Sequence, residues 1–424
     1  MFKRSLALLL SGLMLTGAMA GCGGSKPSEQ DTGAAGSDSA QSTTDPVKLT
    51  IAARGGTHVD VINSVLPAFE SENNCKVEVL GLEADDLKQK VALDSKNAKG
   101  AYDLCMIDDP VMPEFCDTGV LLDLTAEGYK EDADFVKASL DIGKYPYAEG
   151  DVYALPFAGN VTLLFYNQDV LDSVGAKAPD NWTDVLNIAK QVNGQDGKVG
   201  YVIRGQQGNP IVGDYMPILW AYGGDIFDKD WNVTVDSAEA KAALQMYMDL
   251  LANGANYEKN DIVSAVSDGK AAMSLGWPSW YISGGAATAS YARIPGKVDA
   301  SSTDQPSGVI GNWMMGVTAN TQNKDLAIKL LEYLTSAETQ KSAADVGAVP
   351  TRTSVFQDTE LSAKYPFYAT LLDATENSRV RPRTPLWSQI EEAYGIELSN
   401  AIAGQKDIDT ALADAKAQIE KIVK

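Results

Sequence analysis

Residues 47–56 read VKLTIAARGG, and this stretch decides the fold class. Apolar and polar side chains alternate from Val47, the period of a strand with one buried face. Gly55 and Gly56 end the strand in a turn, and beyond them Val61, Val65 and Phe69 recur at helical spacing. The pattern then repeats: a short strand at 76–80, a helix at 87–93, and a buried strand at 102–107. Strands alternating with helices predict βαβ units, an α/β class and a mainly parallel sheet. Ligands of open α/β sheets gather beyond the carboxyl ends of the strands. Arg54 and Gly55 stand at one such end and Asp108 and Asp109 at another, which makes them candidates by position.

The chain has 424 residues, 45% of them hydrophobic and 22% charged, the balance of a globular body large enough for two or three domains. Its net charge of −22 argues against nucleic acid or anionic lipid as a partner, since both call for a basic face. His58 is the sole histidine, so a zinc site of the His/Cys type or a Ser-His-Asp triad has too few parts. No catalytic residue, metal or cofactor is expected. Cys75, Cys105 and Cys116 are too few and too scattered for a disulfide framework; Cys105 and Cys116 stand either as a bridge or as free buried thiols.

Upstream of Val47 the sequence speaks of address. Lys3 and Arg4 precede an apolar run over 6–15, which is too short to span a membrane, and small residues lead from Ala18 to Gly21. Cys22 follows at once, an arrangement that resembles the bacterial lipoprotein box, with Met19 where that box usually has Leu. The reading is a signal peptide at 1–21, a lipidated Cys22, and a flexible Gly/Ser/Thr-rich linker over 22–46. The expected location is the outer face of the cytoplasmic membrane.

Beyond residue 150 the pattern changes. DVYALPFAGNVTLLFYNQDVLDSVGAKAPDNWTDV (151–185) holds two strand-like runs separated by Ala158-Gly159-Asn160, then a helix start with a Thr or Asp cap. Helical faces follow at 237–251, at Leu326, Leu330, Leu331 and Leu334, and from Ile408 to Ile422. This segment, LWAYGGDIFD (219–228), SDGKAAMSLGWPSW (267–280), WMMGVTANTQNKDLAIKLLEYLTSAETQ (313–340), GAVPTRTSV (347–355) and RPRTPLW (381–387) occur in that order. Together they resemble the extracellular solute-binding proteins of bacterial ABC importers, in the branch that includes maltose-binding protein.

The resemblance implies a periplasmic-binding-protein-like type II fold: two discontinuous α/β lobes joined by crossing strands, at 47–158 plus 309–357 and at 159–308 plus 358–424. It implies capture of a carbohydrate in the cleft and delivery to the permease subunits of a membrane importer by a monomeric, lipid-anchored receptor. A sensor role, and a phosphorylated ligand such as a glycerophosphodiester or sugar phosphate, stand as alternatives. A sugar site needs acceptors for hydroxyls, donors such as Arg, and flat aromatics beneath the ring. The motifs place Asp108 and Asp109 as ligand acids, Trp277 and Trp280 in the stacking loop with Trp280 preferred, and Trp313 near the second crossing. Arg381 and Arg383 border the cleft, Asn160 lies in the first crossing, and Asp214 beside Tyr215 matches a ligand-contacting stretch more weakly. Each has a plainer alternative: a capped turn for the acids, core packing for the tryptophans, a solvated loop for the arginines. His58 is expected at the cleft mouth, and Trp182, Trp220 and Trp231 are read as structural.

Overall fold

Two five-stranded sheets organise the protein, whose computed structural model describes residues 45–283 and 286–424. The proposed signal peptide, Cys22 and all but the end of the linker lie outside the described residues. In the first sheet the strands run Cys75–Leu82, Val47–Arg54, Leu104–Asp108, Trp313–Val317 and Ala154–Ala158. The first three are parallel, linked by the helices Thr57–Asn73 and Ala84–Asp94 as βαβ logic requires. Trp313–Val317 runs antiparallel to both its neighbours. The second sheet, Ser290–Arg293, Leu163–Tyr166, Ala271–Gly276, Val199–Ile203 and Gly254–Asn256, mixes directions in the same way. The expectation of a mainly parallel sheet is therefore corrected to two mixed ones. The chain leaves the first sheet, builds the second and comes back, so the returning strand enters against the existing direction.

The second sheet is covered on both faces, and its strands show why. Leu163 and Phe165 point into one core while Leu164 and Tyr166 point into another, the strict alternation of a pleated strand. Beyond it, Trp182–Val192 buries Trp182, Val185, Leu186, Ile188, Ala189 and Val192, each contributing about 1.5–3 kcal/mol over exposure for the larger side chains. The cap of that helix is Asn181, which accepts from the Asp184 amide at 2.9 Å, and not the expected Thr or Asp. The closing helices Trp387–Ile402 and Ile408–Ile422 pack on the same core through Trp387, Tyr394, Leu398, Leu412 and Ile419. Helix Phe367–Glu376 instead joins the core of the first sheet through Phe367, Tyr368, Leu371 and Ala374.

Trp182 and Trp220 are fully buried, as expected of structural residues, whereas Trp231 is 52% exposed on a turn beside Phe227. Cys75, Cys105 and Cys116 are free thiols. None of the helices among the described residues is long and apolar enough to cross a membrane.

A cleft at the strand crossings is the candidate binding site

Three segments run side by side between the two sheets. Residues 159–162 leave the first sheet, 308–312 return to it, and 378–381 cross again toward the closing helices. Backbone bonds lace them together: Gly311 donates to Asn160 O at 2.8 Å, Thr162 to Val309 O at 3.0 Å, and Ile310 to Arg379 O at 2.9 Å. Side chains finish the work, with Thr162 Oγ1 accepting from the Val309 amide and Asn312 Oδ1 from the Asn160 amide, both at 2.8 Å. Gly159 is packed tightly against backbone, because a Cβ there would lie 2.2 Å from the Pro350 carbonyl oxygen.

Above these crossings opens a cavity of about 220 Å³. Its walls are the strand end and helix start at 54–58, the crossing at 157–160, the loop 347–349, Lys259 and Ser279, with Trp313 at one side. Helix Thr57–Asn73 starts here after Gly56, at φ 84° and without a side-chain cap. Glycine suits that positive φ, which would strain any residue with a Cβ. His58 faces Phe157 and Trp313 with ring centroids at 6.4 and 5.8 Å. Burial, then the neighbouring Arg54 charge, lower its pKa to about 4, so it is a neutral imidazole at physiological pH. Asn160 lines the same cavity, and its buried Oδ1 has no partner among the described residues.

Trp313 pairs in register with Asp108 on one side and Ala158 on the other, so its indole divides this cavity from a small one of about 20 Å³ containing Asp108 and Lys88. A second small cavity holds Trp277, Trp280, Arg204, Asn209, Asp214 and Arg381. Of the expected site residues, Arg54, Gly55, Asn160 and Trp313 line the cavity at the crossings, while Asp108, Asp214, Trp277, Trp280 and Arg381 line the two small ones. Asp109 and Arg383 line none of the three. Asp109 is wholly buried, ion-paired to Arg381, with Arg383 donating to its carbonyl at 2.8 Å. Asp214 is likewise committed, accepting from the Arg204 amide at 3.0 Å and the Tyr247 hydroxyl at 2.9 Å, and burial raises its pKa to about 6. Trp277 lies against Gly311, whose missing side chain makes its room.

Trp280 carries company that the sequence reading did not foresee. The Arg204 guanidinium sits 5.0 Å over its ring and the Lys259 ammonium 5.6 Å. Arg204 follows the strand Val199–Ile203, so the strand-end rule that picked out Arg54 applies to it as well. Lys259 opens a surface helix and gives no such signal.

Asp108 offers a measurable test of this geometry. Burial raises its carboxyl to about pH 7, Arg381 opposes that shift, and the neighbouring acids Asp109 and Glu391 add to it. The folded chain then keeps a proton that the unfolded chain loses near pH 4, so this group's contribution to stability falls as pH rises from about 4 to about 7. Asp108→Asn should gain stability relative to the parent across that window, modestly, because a third of the side chain remains open to solvent. Urea melts at pH 4.5, 6 and 8 check it; a relative loss on raising the pH would be the wrong sign.

Two mixed α/β sheets, three crossings and a cavity at the crossings define a two-lobed binding protein. Comparison with known proteins carries this further. The family model of the bacterial extracellular solute-binding protein matches residues 40–341, and the chain belongs to that family. Among curated relatives, it is 25% identical over 294 residues to a probable ABC transporter-binding protein of Deinococcus radiodurans, covering 64% of this chain and 69% of that one. It is 26% identical over 405 residues to the mannitol-binding protein of Pseudomonas aeruginosa, covering 84% and 88%. Among solved structures, the maltose-bound MalE3 of T. maritima superposes with a TM-score of 0.78 at 25% identity, over 89% of this chain and all of that one. The family and these neighbours are binding proteins.

Proposed function

We propose that this chain is the receptor of an ABC importer, binding a carbohydrate or polyol in the cleft and passing it unaltered to permease subunits in the membrane. The observation that carries the reading is the cavity at the crossings, walled by the rings of His58, Phe157 and Trp313 beside the first sheet, by Lys259 and Ser279 from segments flanking the second, and by the Asn160 oxygen, which has no partner among the described residues. A closed cleft without the right hydroxyl pattern would leave such groups unpaired, at about 1–3 kcal/mol each, which is how a site of this kind selects its solute. The maltose-bound and mannitol-binding relatives support the choice of solute class.

The same reading assigns the lobes to 47–158 plus 309–357 and 159–308 plus 358–424. Membership of helix Phe367–Glu376 in the first core favours moving the last boundary to the crossing at 378–381. Arg54, Gly55, Asp108, Asn160, Trp277, Trp280 and Trp313 are proposed to contact solute, with Asp109, Asp214, Arg381 and Arg383 holding the cleft in shape. Cys22 is proposed as a lipid anchor, the molecule as a monomer on the outer membrane face, and the chain as no enzyme.

A thermal-shift screen over mannitol, maltose, arabino-oligosaccharides and amino acids tests it. A solute at a hundred times its Kd should stabilise the protein by about 2.7 kcal/mol, and chromatography should recover it unchanged. No stabilisation by any sugar or polyol, or conversion of the solute to products, would end the proposal.

A further inference from the structure

Acidic residues outnumber basic ones by 57 to 35, yet the cavity at the crossings is lined by Arg54 and Lys259 and, among the described residues, by no carboxylate. Lys259 forms no ion pair or hydrogen bond among the described residues, and its ammonium shares the Trp280 indole with the Arg204 guanidinium. The Arg204 side chain likewise has no ion pair among the described residues. Its neighbouring acids are Asp214, which is already bonded to Tyr247 and the Arg204 amide, and Glu391. Arg54 is paired at 2.8 Å with Glu83, whose side chain is 80% exposed and stands outside the cavity. Burial and then the charges of Arg54 and Arg204 lower the Lys259 pKa, outweighing the opposing pull of the exposed Glu83 carboxylate. The first turn of helix Thr57–Asn73, on the same wall, adds positive potential of the same sign.

We propose that the solute is a hydroxylated carbon skeleton bearing one anionic group, a carboxylate or a phosphate ester, seated among Arg54, Lys259 and Arg204 at the edge of Trp280. This rests on the receptor reading above and refines it. Like charges brought together in a partly desolvated pocket repel, and an oxyanion between them turns that repulsion into charge-assisted hydrogen bonds. The acceptors that hydroxyls require lie beyond, at Asn160 and past Trp313 at Asp108. Trp280 then serves to hold the cations at their spacing, and Trp313 becomes the ring available to the sugar face.

Titration calorimetry on matched pairs decides it: galactose with galacturonate, and glucose with glucose 6-phosphate, alongside mannitol and maltose. At least one charged member should bind about tenfold or more tightly than its neutral partner, and which one does so separates carboxylate from phosphate. Raising NaCl from about 20 to about 500 mM should weaken that binding several-fold through screening. Lys259→Gln should remove most of the preference while leaving the melting temperature unchanged, since Lys259 is exposed at a helix start. Neutral sugars binding as well as charged ones, independent of salt and of Lys259, would overturn this inference and leave the receptor reading standing. Binding of no sugar, charged or neutral, would overturn both.

Discussion

Arg381→Met is expected to destabilise the protein by about 3–5 kcal/mol, the cost of leaving a buried charge without its partner. Arg381 is 3% exposed and Asp109 is fully buried, so neither finds water once the other is gone. The pair joins distant parts of the chain: Asp109 follows the strand Leu104–Asp108, and Arg381 follows the third crossing. Arg381 also stands 3.7 Å from Asp108 and 4.0 Å from Glu391, so three carboxylates depend on one guanidinium. Arg383 cannot take over. Its bonds go to the Asp109 and Ile142 carbonyls at 2.8 and 3.2 Å, and its own Asp109 carboxylate contact is 3.7 Å. The double variant Asp109→Leu, Arg381→Met should recover much of the loss, because removing both charges removes the desolvation penalty. Urea unfolding of the four proteins of this cycle measures the coupling. A single-variant loss below about 1 kcal/mol would mean that Asp109 does not rely on Arg381.

Gly159→Val should both destabilise the fold and weaken solute binding. The new Cβ would meet the Pro350 carbonyl oxygen at 2.2 Å, and this is a backbone atom that no side-chain rotation can move aside. Overpacking of this kind costs about 1–3 kcal/mol. The relief available is to push the loop 347–349 outward, breaking the bond from the Gly159 amide to Val349 O at 3.1 Å. That loop is a wall of the 220 Å³ cavity, so affinity should fall by about tenfold, or about 1.4 kcal/mol, beyond any loss of stability. Calorimetric titration at a temperature where the variant stays folded separates the two effects. Unchanged affinity would show that the wall does not touch solute.

Much of this architecture is legible in the residues themselves, and the reasons are local. The alternation at Val47, the buried run ending at Ile107 and the apolar face from Ile408 to Ile422 each report a period, and a period survives whatever the rest of the chain does. The strand-end rule led to Arg54, Gly55 and Asp108, because the carboxyl ends of parallel strands converge wherever the sheet is placed. Strand direction was not legible. Trp313–Val317 reads as a strand either way, and only its return from the second sheet makes it antiparallel. The fate of charged residues was equally hidden. Asp108 and Asp109 are neighbours in sequence, yet one side chain is 34% exposed and the other 0%, because the turn after the strand aims them in different directions.

The sequence by itself determined the α/β class, the positions of most strands and helices, the family, and the chemistry on offer at the strand ends. All of these depend on neighbours within a dozen residues or on ordered motifs. Only the tertiary structure decided that Lys259 and Arg204, 55 positions apart, flank one indole, and that Asp109 belongs to Arg381. Such pairings follow from how far apart elements cross, and the electrostatic work of a side chain depends on what surrounds it after folding.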